Sequence, residues 1–194
     1  GKIIISPQYD HAGRFSKNGL ANVAIGTKYG FIDKAGKIII NPQFTYSYPF
    51  SDNGLALVRS NRLWGFINKK GNFVIDPQFD DAYPFENNGL AAVYKDGNWG
   101  FINKTGKYVI NSQFNDICLF EDNSIAAVKI SDKWGYINKK GEYVINPQFD
   151  DAMPFSEYGL APVKVGEKWG YIDEKGTFEI IPKFLMVGYF FRNN

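Results

Sequence analysis

Several residue series in this chain could do chemistry, and most of them recur at a single spacing. Trp64, Trp99, Trp134 and Trp169 stand 35 residues apart, and Tyr29 holds the same place one step earlier. In an exposed row these rings would be stacking platforms for sugars or choline. In a packed one they would bury against the next copy, with each indole N–H bonded to backbone. Packing is the expected role, because a residue present in every copy serves what every copy needs, and a catalytic constellation normally needs one of each part in one place.

The acid pairs Asp80-Asp81 and Asp150-Asp151, with Asn115-Asp116 and Asp10 as variants, suggest calcium. That ion takes about six to eight oxygens, usually from a glycine-bent loop. The segment Phe-Asp-Asp-Ala-x-Pro-Phe is no such loop, and the copy Phe44-Thr45-Tyr46 lacks both acids. Capping of nearby backbone N–H groups is the expected use. A lysine series (Lys34, Lys69, Lys104, Lys139, broken by Glu174) falls in turns. It would form an exposed row able to meet an anionic polymer, and a solvated turn is its ordinary meaning. His11 is the one histidine and has no ligating companions, and Cys118 occupies a variable apolar slot shared with Gly13, Tyr48, Tyr83 and Met153. No nucleophile elbow, phosphate loop or zinc-binding helix motif occurs. The sequence therefore predicts no catalytic residue, no metal site and no cofactor.

The elements that must carry these residues repeat with them. The aromatic–glycine pairs are Tyr29-Gly30, Trp64-Gly65, Trp99-Gly100, Trp134-Gly135 and Trp169-Gly170. A second glycine series (Gly1, Gly36, Gly71, Gly106, Gly141, Gly176) keeps the same step without insertion or deletion. Each copy opens on a segment such as Leu55-Ala56-Leu57-Val58, in which Ala and Val are fixed and the residue between them varies. That is period-2 behaviour, with one face specified. Pro162 in the last such segment predicts a position facing an edge. Next comes Trp-Gly-[Phe/Tyr]-Ile, where the glycine predicts close approach of a ring or backbone. An Asx-x-x-Gly turn follows, an acidic or amide residue opening it and a left-handed glycine closing it. The third segment, Phe73-Val74-Ile75 and its equivalents, is expected to end at Pro42, Pro77, Pro147 or Pro182. A short arm, Phe-Asp-Asp-Ala-x-Pro-Phe, completes the unit.

This unit resembles the bacterial WG-repeat family, also called KWG repeats. The resemblance rests on Trp99-Gly100-Phe101-Ile102-Asn103, on Val74-Ile75-Asp76-Pro77-Gln78-Phe79-Asp80, and on Pro154-Phe155 leading to Gly159-Leu160-Ala161, and it covers essentially the whole chain. It implies a repeat scaffold and carries over no catalytic residue.

The fold class is all-β, with tandem 35-residue β-meanders in an open superhelical, solenoid-like array. A five- or six-bladed β-propeller is the alternative. Five periods take 175 of the 194 residues, and six third-segment-plus-arm copies face only five first hairpins, which favours the open form. A 35-residue blade is also short against the usual ~40–45. The expected organisation is one repeat domain over 1–194, with an N-terminal half repeat at 1–19. Full repeats follow at 20–54, 55–89, 90–124 and 125–159, and 160–194 is the C-terminal repeat with an apolar end arm.

In that last arm Leu185-Met186 replaces the acid pair, followed by Tyr189, Phe190 and Phe191. Either the arm folds back over an open end or it mediates self-association. The fourth copy is eroded: Ser112 replaces Pro, Leu119 replaces Pro and Ser124 replaces Gly.

Composition narrows the function classes. A chain of this length buries roughly 70% of its unfolded surface. Hydrophobic content is 44%, aromatic content 17% and net charge +2, with no basic run longer than two residues. That argues against a dedicated nucleic-acid protein. Mean hydropathy is -0.29, and no apolar run is long enough to insert in a membrane. One cysteine excludes a disulfide framework. The chain begins in a turn and reads as a piece of a longer protein, leaving cytoplasm and cell envelope indistinguishable. The expected function is a non-catalytic scaffold binding another protein. The alternative is an envelope module binding carbohydrate or cell-wall polymer through the periodic aromatics.

Overall fold

The structure is a computed structural model that describes residues 3–120 and 124–188. Among the described residues, twenty strands form five four-stranded antiparallel sheets. The first holds β1 (His11–Ala12), β2 (Ala21–Ile25), β3 (Lys28–Ile32) and β4 (Ile38–Phe44). The second holds β5 (Tyr46–Phe50), β6 (Ala56–Ser60), β7 (Leu63–Ile67) and β8 (Phe73–Phe79). The third holds β9 (Asp81–Ala82), β10 (Ala91–Lys95), β11 (Asn98–Ile102) and β12 (Tyr108–Phe114). The fourth holds β13 (Asp116–Ile117), β14 (Ile125–Ile130), β15 (Lys133–Asn138) and β16 (Tyr143–Phe149). The fifth holds β17 (Asp151–Ala152), β18 (Ala161–Val165), β19 (Lys168–Ile172) and β20 (Phe178–Phe184). The arms that begin β5, β9, β13 and β17 are thus each the first strand of the following sheet, one residue beyond the third strand of their own copy. The chain divides into two compact units, one of residues 1–96 and 100–108, the other of 97–99 and 109–194.

Both glycine series have steric causes. In the Asx turn, Asn68 Oδ1 accepts the N–H groups of Lys70 and Asn72, and Gly71 closes the turn at φ 85°. A Cβ on Gly71 would also sit 3.2 Å from the Ile40 side chain of the preceding copy. The same stacking of a third-strand isoleucine under the next turn joins Ile5 to Gly36, and Ile75 to Gly106. In the second unit it joins Ile110 to Gly141 and Ile145 to Gly176.

The glycine of the Trp-Gly pair answers a bulge. Trp64 pairs with Phe79 and Phe66 with Ile75, so Gly65 alone faces Asp76, Pro77 and Gln78. A Cβ there would lie 2.7 Å from both Ile75 O and Pro77 N. The proline therefore does not end the strand, contrary to the sequence expectation: β4, β8, β16 and β20 each run through it. Proline is tolerated because a bulge asks no ladder N–H of it.

Successive sheets are joined by aromatic pairs between the aromatic–glycine strand and the arm that follows it. Phe31 meets Phe50 with ring centroids 4.8 Å apart, and Phe66 meets Phe85 at 4.7 Å. In the second unit Tyr136 meets Phe155 at 4.8 Å. Phe31, Phe66, Tyr136 and Phe155 are fully buried.

Pro162 also departs from expectation. It lies on β18, the second strand of its sheet, and not on an edge strand. Its carbonyl accepts the Met153 N–H, so its own nitrogen faces the same arm and returns no bond. The Met153 carbonyl instead accepts the Tyr136 hydroxyl at 2.8 Å. Tyr136→Phe should therefore orphan a carbonyl at a cost of about 1–3 kcal/mol. In a Pro162→Ala background, where a backbone N–H is restored, the loss should shrink by at least half. Equal costs in the two backgrounds, read from urea unfolding, would show that the hydroxyl does not stand in for the missing N–H.

Candidate binding surface

The signature aromatics are spent largely on packing. Trp64, Trp134 and Trp169 are 9%, 7% and 9% exposed, while Tyr29 and Trp99 are half-buried. Trp99 is the exception to the expected burial of all four indoles. Gly30, Gly135 and Gly170 meet the same bulge backbone as Gly65.

The arm acids serve as caps. Asp81, Asp116 and Asp151 accept the N–H of the next residue through Oδ1. The residue one place earlier reaches across to a hairpin turn: Asp10 Oδ2 accepts Gly26 N–H at 2.7 Å, and Asp150 Oδ2 accepts Gly166 N–H at 2.6 Å. Asp150 also pairs with Lys133. The Lys133 hydrogen bond first, then the Gly166 N–H, holds the Asp150 carboxyl below the ordinary aspartate range. A carboxyl with a depressed folded value adds stability above its unfolded value and loses it as pH falls through the folded one. Carbon-detected NMR titration should show the Asp150 midpoint below the ordinary aspartate value, and Lys133→Met should raise it. An unchanged midpoint in that variant would remove Lys133 as the main cause.

Lys34, Lys69, Lys104 and Glu174 are exposed on turns, Lys139 is half-buried, and Cys118 packs half-buried against the core of the second unit. Among the described residues no three His, Cys, Asp or Glu side chains gather as a metal site. Leu185 and Met186 are 71% and 85% exposed, so these two do not fold back as a cap. Tyr189, Phe190 and Phe191 lie outside the described residues.

Sequence reasoning passed over the one place where the period breaks toward aromatics. The acid slot between successive indole positions holds Asp81, Asp116 and Asp151 in later arms, but His11 and Tyr46 in the first two. As a result the rings merge into a ribbon within the first unit. His11 lies 5.7 Å from Tyr29, Tyr29 5.2 Å from Tyr46, and Tyr46 6.0 Å from Trp64. Tyr48 closes the cluster at 5.4 Å from Tyr46 and 5.9 Å from Trp64. Tyr46 is 43% exposed, and the Arg59 guanidinium sits 5.7 Å from the Trp64 ring centroid. Burial first, then the neighbouring Tyr46, Asp81 and Tyr83, holds the Tyr48 hydroxyl above its ordinary value. It therefore stays protonated near neutrality.

Bulged four-stranded units stacked through isoleucine-on-glycine and ring-on-ring contacts define a tandem β-repeat protein. The chain belongs to the WG containing repeat family, whose profile matches residues 1–29, 29–64, 64–99, 99–134 and 134–169. The last four matches run from one aromatic–glycine pair to the next. No curated protein matches the chain.

Among solved structures, the crystal structure of the eukaryotic initiation factor aligns at a TM-score of 0.60 and 13% identity, over 91% of this chain and 55% of that one. Hsv2 of Kluyveromyces lactis aligns at 0.51 and 10% identity, over 82% of this chain and 59% of that one. These neighbours are β-propeller-like repeat proteins. This chain spans a little over half the length of each, and the likeness is one of fold.

Proposed function

We propose that the chain is a non-catalytic repeat module of a larger bacterial protein and that it binds another protein. One observation carries this reading: Trp64, Trp134 and Trp169 of the common aromatic series are taken up by packing, while the second arm, where Thr45-Tyr46 replaces the acid pair, puts an exposed Tyr46 beside Tyr29 and Tyr48, with Arg59 over the adjoining Trp64. Tyr, Trp and Arg are the residue types that dominate protein–protein hot spots. A carbohydrate reading through periodic indoles needs exposed rings, and Trp64, Trp134 and Trp169 are at most 9% exposed.

The test is to screen the purified chain in parallel against a random peptide display library and a glycan array. Enrichment of peptides whose binding Tyr46→Ala abolishes supports the proposal. Reproducible glycan binding without peptide enrichment contradicts it.

A further inference from the structure

The second arm lacks the acid that the first and fifth arms use, and cations stand beside the gap. In the first and fifth sheets a carboxylate reaches a hairpin-turn N–H sixteen residues ahead, from Asp10 to Gly26 and from Asp150 to Gly166. Thr45 holds that slot in the second sheet, and its hydroxyl turns back to donate to Arg59 O at 3.0 Å. The turn that a carboxylate at 45 would face is built on Asn61 and Arg62, both left-handed at φ 49° and 72°. Arg59 and Arg62 are exposed there. Arg59 holds its place over Trp64 through a hydrogen bond from Nε to Arg62 O. The next residue of the arm, Asp in the later copies, is Tyr46. One stretch of surface thus combines a missing carboxylate, two arginines and a run of aromatic rings.

We infer that this surface of the first unit takes an acidic–apolar peptide segment of a partner protein. A partner carboxylate replaces the absent arm acid at Arg59, Arg62 and the Asn61–Arg62 turn, and adjacent apolar side chains lie on Tyr29, Tyr46 and Tyr48. Guanidinium–carboxylate geometry supplies direction, and the rings supply contact area at small entropic cost. This inference rests on the protein-binding reading and adds the charge and composition of the ligand.

The probe is a set of three short fluorescein-labelled peptides of one pattern: Glu alternating with Phe and Leu, its Gln isostere, and its Lys counterpart. Anisotropy should show the Glu peptide binding at least about tenfold more tightly than the Gln isostere, with affinity falling as salt is raised. Thr45→Asp and Tyr46→Asp each install the residue that three other arms carry at that position, so the fold has a place for them. Each should retain the wild-type thermal midpoint and weaken the Glu peptide by about tenfold or more. Arg59→Gln should remove most of the preference for Glu over Gln. Equal binding of the Glu and Gln peptides would overturn the inference while leaving the protein-binding reading standing. So would affinity unchanged in both Thr45→Asp and Tyr46→Asp. Binding of none of the peptides, alongside salt-sensitive binding of a single-stranded oligonucleotide, would overturn both.

Discussion

Replacing Phe66 with alanine should cost about 3–5 kcal/mol of unfolding free energy, the range for truncating a fully buried aromatic in a core. Phe66 has no exposed surface and lies in the main cluster of the first unit with Trp64, Ile75, Phe79 and Phe85. Its ring joins two sheets, because Phe85 belongs to the arm that opens the next sheet. The cavity would therefore open at a junction and loosen the arm that the neighbouring sheet uses as its first strand. Hydrogen exchange should rise around Phe85 as well as around residue 66, since local stability here depends on nearest neighbours. A loss confined to β7 would mean that the ring pair does not couple the copies.

Alanine at Gly65 should be nearly as costly, about 3 kcal/mol, although only one methyl is added. The added Cβ would meet Ile75 O and Pro77 N, each at 2.7 Å. Both are backbone atoms of the bulge, so no side chain can swing aside. Relief requires moving β8 away from β7, which disturbs the Trp64–Phe79 and Phe66–Ile75 pairs. Gly54 is the control. It sits at φ 85° with nothing within 4 Å of where a Cβ would stand, so Gly54→Ala should cost only the left-handed penalty, about 1–2 kcal/mol. Equal losses at the two sites would show that conformation alone, and not the bulge, dictates the glycine beside the indole.

The sequence makes the period, the strands and the Asx turns legible because each follows from a local rule that repeats five times. Gly71 announces a left-handed turn by its type and its distance from Asn68. The role of Pro77 is less visible. Read locally, proline stops a strand, and only the opposing Gly65 reveals a bulge that accommodates it. Pro162 and Tyr136 are harder still: their link runs through the Met153 carbonyl, which neither residue touches in sequence. The aromatic ribbon was within reach, since Thr45-Tyr46 visibly breaks the acid pattern. That break argues against a metal series, but the merging of Tyr29, Tyr46 and Trp64 needs the fold to bring consecutive second strands and arms side by side.

The central claim is that the periodic aromatics hold the copies together and that binding falls to the residues that depart from the period. Iodide quenching of tryptophan fluorescence tests it most directly. The account predicts a quenching constant several-fold below that of free N-acetyltryptophanamide, with the residual quenching removed largely by Trp99→Phe, because Trp99 alone of the four indoles is half-buried. Quenching close to that of the free indole, suppressed by an added oligosaccharide, would contradict it and return the periodic rings to the role of a binding ladder.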